Sequence, residues 1–128
     1  MLIRDIKDAD YFRAGDNCLL CELLHPKDEK DYGDLKLQMG YSIVHAIVPT
    51  GEKTIPHMLK ESSEVYYILA GKGQMHIDSE VSEMSSGQVV YIPPGSVQYI
   101  ENRGDCDLVF LAMVSPEWRE EDEVVFGE

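Results

Sequence analysis

Four side chains near the middle of the chain carry the chemistry that the sequence offers: His57, Glu64, Tyr66 and Gln98. An imidazole accepts or donates a proton near neutral pH and also ligates transition metals. A carboxylate beside the apolar run VYYIL is costly to bury unless it meets a metal, a histidine or a ligand. A carboxamide oxygen can add a ligand, although it binds transition metals more weakly than an imidazole does. Two chemistries follow. In one, His57, Glu64 and Gln98, with His45 as a fourth ligand, hold a divalent transition metal of the Fe, Mn, Ni or Zn type. In the other no ion is present: His57 and Glu64 act as an acid–base pair, and Tyr66 is a pocket wall and hydrogen-bond donor.

These groups are spread over separate strands, so a sheet must curl to bring them together. Side chains two apart on a strand share a face. Glu64, Tyr66 and Ile68 therefore point one way, as do Gln98, Ile100 and Asn102. His45 shares its face with Ile43 and Ile47 and reaches the interior only if that face is the inner one. Under that arrangement Ser42, Val44, Ala46 and Val48 lie outside and need a cover. The remaining histidines fall elsewhere, His76 on the polar face of its strand and His25 in a loop.

Around these residues the pattern is that of short strands separated by Gly and Pro turns. Strands are expected over 17–24, 36–49, 73–78, 88–92, 97–101 and 107–114. Residues 1–10 read as an edge strand or an arm laid on the barrel. A charged loop over 27–34 turns at Gly33, and 81–86 reads as a polar connection. An acidic tail over 115–128 is anchored only by Trp118 and Val124 to Phe126 and frays at its end. The absence of any long helical period points to an all-β sandwich or barrel.

With 128 residues the chain is expected to form a single domain. It divides into N-terminal strands or arm over 1–35, a barrel over 36–114 and the tail. The net charge of −13 disfavours nucleic acid and anionic membrane surfaces as partners. No apolar run approaches the roughly 18 residues that span a bilayer. Three cysteines and no signal-like leader suggest a reducing cytoplasm. Cys18 and Cys21 form a CxxC pair, but their odd spacing on a strand sends them to opposite faces, as packed thiols rather than a redox or zinc site.

Two stretches have a more specific meaning. In the first, Gly51, His57, Glu64 and Gly71 stand at fixed intervals; in the second, Gly87, Pro93, Gly95, Gln98 and Asn102 do. This spacing resembles the two motifs of the cupin superfamily and covers about 40–114. Leu59 occupies the place of the second motif histidine, and Gln98 that of the histidine in the second motif. The resemblance implies a cupin-type double-stranded β-helix, a jelly-roll barrel, with a small-molecule pocket inside, often homodimeric and often holding a transition metal. The functions it implies are a metal-dependent oxygenase or isomerase, a metal-free acid–base enzyme, or a non-catalytic ligand-binding or sensory barrel.

Overall fold

The computed structural model describes residues 1–27, 32–33 and 35–127. Runs rich in β-branched and aromatic side chains form eleven strands among these residues. They are β1 (Phe12–Arg13), β2 (Leu19–Leu24), β3 (Ser42–Val48), β4 (His57–Leu59), β5 (Ser63–Ala70), β6 (Lys72–Ile77), β7 (Glu80–Ser85), β8 (Val89–Ile92), β9 (Gln98–Asn102), β10 (Leu108–Ser115) and β11 (Glu123–Val125). They build two antiparallel sheets, ordered β1-β2-β3-β10-β5-β8 and β11-β4-β9-β6-β7. From β3 onward the chain alternates between the two sheets, except at the β6–β7 hairpin, which is the jelly-roll winding expected.

The core lies between the sheets. Alternation along β10 buries Leu108, Phe110, Ala112 and Val114 in turn, and along β5 it buries Glu64, Tyr66 and Ile68. Ile92 and Ile100 close the same cluster, and the Tyr66 and Phe110 rings meet at 4.4 Å between centroids. Where β5 turns into β6, Gly71 sits at φ +86°, and a β-carbon there would stand 2.5 Å from the Asp107 carbonyl oxygen. Glycine is required on both counts.

On β3 the inner face carries Ala46 and Val48 in the core and Ser42 and Val44 on the pocket wall. The face assumed to need an outside cover is thus the inner one, because both faces of this strand are apolar and periodicity could not choose between them. Residues 1–10 form an arm rather than a strand, with a 3-10 turn over Ile6–Asp8 and the Arg4 guanidinium bonded to the Leu23 carbonyl at 3.1 Å. The stretch read as a polar connection is the edge strand β7, paired with β6 and almost entirely exposed, so only Met84 turns inward. The tail ends in β11, which adds to the second sheet along β4. Of the loop over 27–34, Gly33 does turn at φ +59°; most of the rest lies outside the described residues.

Candidate functional site

β4 begins at His57, directly after Pro56, and register places His57 opposite Gln98 of β9 in the five-stranded sheet. Glu64 and Tyr66 face them from β5 in the six-stranded sheet. The two sheets are joined across the interior by one chain of hydrogen bonds. The Tyr66 hydroxyl donates to Gln98 Oε1 at 2.9 Å, and Gln98 Nε2 donates to Glu64 Oε1 at 2.8 Å. All three side chains are buried. The structure thus brings Glu64, Tyr66 and Gln98 into contact and sets His57 beside them.

His57 is almost fully enclosed. Its Nδ1 lies 2.8 Å from the Ile55 carbonyl, an acceptor only, so Nδ1 carries a proton. Nε2 is left toward the cavity, where Asp16 Oδ2 stands 3.6 Å away. Asp16 is itself fixed by the Cys18 backbone N–H, which donates to Oδ1 at 3.1 Å. Glu123, carried in by β11, completes the acidic surround.

The cavity between these groups has a volume of about 120 Å³. Asp16, Glu22, His57, Glu64 and Glu123 give it polar atoms, and Phe12, Leu20, Val44, Leu59, Val114 and Trp118 much of its apolar wall. Burial raises Glu64 from its ordinary 4.5 to about 7, with the nearby His57 and the Gln98 hydrogen bond opposing the rise and Asp16 and Glu123 adding to it. Burial also raises Glu123, again against His57. Tyr66 is held well above its usual value by burial first and by Glu64 second, so it remains a hydroxyl donor.

His45 is not part of this group. It lies on the outer face of β3, opposite Cys21 of β2, and its Nδ1 meets the Tyr11 hydroxyl of the N-terminal arm at 2.7 Å. Its face turns outward because Ser42 and Val44 take the inner one. Cys18 packs in the core and Cys21 beside His45, on opposite faces as their spacing requires. Outside the barrel, His76 stacks on Tyr99 and bonds Glu101, and His25 bonds the Trp118 carbonyl.

The residues that sequence reasoning missed are Asp16, Glu22 and Glu123. Asp16 precedes a strand in a polar turn, and Glu123 lies in a tail whose acidity suggests only solvation. One signal was present: Val124 and Val125 beside Glu123 are the apolar residues of a short strand.

The donor set does not fit a resident transition metal. Gln98 has its amide oxygen on Tyr66 and its amide nitrogen on Glu64, Leu59 supplies a methyl wall where a second imidazole would be needed, and His45 is behind the sheet. Among the described residues, no group of three or more His, Cys, Asp and Glu side chains is arranged to hold a metal ion.

The fold is a barrel of the jelly-roll kind with a cavity inside, and comparison with known proteins gives it a family. A family model described as a cupin domain matches residues 44–114, and the chain belongs to the cupins. An uncharacterized protein of Methanocaldococcus jannaschii is 39% identical over 107 residues, covering 84% of this chain and 80% of that one. Among solved structures, a predicted oxalate decarboxylase from Thermotoga maritima superposes with a TM-score of 0.72 at 23% identity, over 90% of this chain and 99% of that one. A nucleoside dehydratase of Streptomyces gives 0.72 at 18% identity, over 98% and 90%. At such identities these two structures speak for the fold. No helix among the described residues is long and apolar enough to cross a membrane.

Proposed function

We propose that this cupin binds a small organic molecule in its barrel and moves a proton on it, with His57 as general base and Glu64 as general acid, without a resident transition metal. The observation that carries the reading is the hydrogen-bond chain from Tyr66 through Gln98 to Glu64. It commits the amide that would otherwise be a ligand and presents at the cavity wall a carboxyl raised to about 7. A group with that proton affinity is populated in both states at neutral pH, as efficient proton transfer demands. Across the cavity, the Ile55 carbonyl orients His57 so that Nε2 is the atom offered to a ligand. Tyr66 touches no ligand in this scheme; it positions Gln98, which positions Glu64.

Two measurements test the reading. Elemental analysis of protein purified without chelator should show no stoichiometric transition metal, and chelator should leave its melting temperature unchanged. Nitrogen NMR of the His57 ring should show the proton on Nδ1 in the neutral form. Stoichiometric metal whose removal lowers stability, or a proton resident on Nε2, would overturn it.

A further inference from the structure

We infer that the outer face of the six-stranded sheet, over β10, β5 and β8, is the surface on which a second copy of this chain docks, face to face. The inference is independent of the chemistry proposed for the cavity. On this face, pairing sets Leu111 against Tyr67 and Met113 against Val65, and the two β5 residues in turn against Val89 and Tyr91 of β8. These side chains point away from the core, because Glu64, Tyr66 and Ile68 take the inner face of β5. Exposure is 40% at Tyr67, 39% at Leu69, 63% at Val89 and 60% at Tyr91. Along 43–47, 65–69, 89–91 and 109–113 every outward position is apolar except His45, and none carries a charge. The other sheet is the contrast. On its outer face Gln74 of β6 lies between Glu83 of β7 and Glu101 of β9, and Glu101 bonds His76 at 3.0 Å, as suits a face in water.

One end of the apolar face already has a cover. The N-terminal arm lays the Tyr11 hydroxyl on His45 Nδ1 at 2.7 Å, and both His45 and the neighbouring Cys21 are buried. From there exposure rises across the sheet: the outward side chains are half-buried along β10 and exposed on β8, apart from those that face the core. Area and charge identify what covers the rest. The strands β3, β10, β5 and β8, about 4.8 Å apart and about 17–20 Å long, present about 350 Å² of flat area, which the relief of the side chains enlarges. Two copies together therefore approach the roughly 1,000 Å² that a specific interface must clear. The chain carries a net charge of −13, so two copies repel wherever their carboxylates are opposed. A charge-free face is where they meet without that cost, whereas a basic partner would find no counter-charge on it. A second copy, turned by a two-fold axis, also supplies a sheet face of the same twist and shape.

The test is the oligomeric state of the whole chain, measured in reducing buffer because Cys106 is exposed. Sedimentation and light scattering should give twice the chain mass of 14.5 kDa, with dissociation on dilution. Added salt should tighten the dimer by screening the net charge. Tyr91→Lys and Val89→Lys, each first checked for a native amide spectrum, should weaken self-association by about tenfold or more, the loss expected at a central interface contact. Both substitutions lower the net charge, which by itself would favour association. Glu83→Lys, a larger change of the same sign on the other sheet, should therefore not weaken it. In the wild type, amide exchange over 65–69 and 89–91 should slow as concentration rises through dimerisation. A chain that stays monomeric up to about 1 mM overturns the assignment and leaves the face to a different protein. A dimer that survives both lysine variants, or whose amide protection appears elsewhere, overturns it too and moves the contact to another surface. The acid–base reading stands apart from either result, since it rests on the His57 tautomer and the metal content.

Discussion

Replacing Glu64 by Gln should change how stability depends on pH more than it changes stability itself. The amide keeps the shape of the carboxyl and an oxygen to accept the Gln98 N–H, but it does not titrate. In the wild type the folded-state carboxyl holds its proton up to about 7, whereas the ordinary value is 4.5. Between those limits the unfolded chain has released a proton that the folded chain keeps. Wild-type stability therefore falls as pH rises through this window, and the penalty is complete above it. Each tenfold in proton affinity is worth about 1.4 kcal/mol, so the full window corresponds to about 3 kcal/mol. For a domain of this length that is roughly 10 °C in melting temperature.

The experiment is urea unfolding of wild type and Glu64→Gln in parallel at a series of values from about pH 4 to about pH 8. Asp16, His57 and Glu123, which face Glu64, are common to both proteins. The variant should gain on the wild type steadily as pH rises, then level off near neutrality. A difference that stays flat across the series would refute the argument, because it would mean that Glu64 titrates alike in the folded and unfolded chains.

Two further outcomes follow from other parts of the barrel. Asp122 is buried, and its carboxylate oxygens accept the backbone N–H groups of Glu61 and Ser62 at 2.8 and 3.1 Å. Asp122→Ala should lose about 2 kcal/mol and make the segment carrying β11 the first site of limited proteolysis; a cleavage pattern like that of the wild type would contradict the anchoring role. Cys18 and Cys21 are buried while Cys106 is exposed, and burial, the largest influence, raises the Cys18 thiol far above its ordinary value. A thiol reagent should modify one cysteine rapidly in the native protein and three only after unfolding; rapid modification of Cys18 would show that the interior opens.

Much of the barrel was legible because its strands are bounded by glycine and proline and because the two glycine-spaced stretches fix the corners. The convergence of Glu64, Tyr66 and Gln98 was legible too, since period-two alternation assigns each to a face. What alternation cannot do is choose between two apolar faces, and that is why His45 was a candidate ligand. Nor does it reveal an edge strand such as β7, which has little interior to contact and so carries no apolar stripe. Asp16 and Glu123 were hidden for a different reason: each reaches the cavity through pairing distant in sequence, and an acidic residue in a turn or tail looks the same whether it is solvated or inside.

The strand β11 has one more consequence. The portion matched to the family ends at Val114, yet Glu123 and Trp118 come from beyond that point and Phe12, Asp16 and Leu20 from before it. Both flanks of the matched region thus supply walls to a chamber whose remaining lining comes from within it, so substitutions near residues 12–20 or 118–123 would reshape that chamber without touching the matched strands.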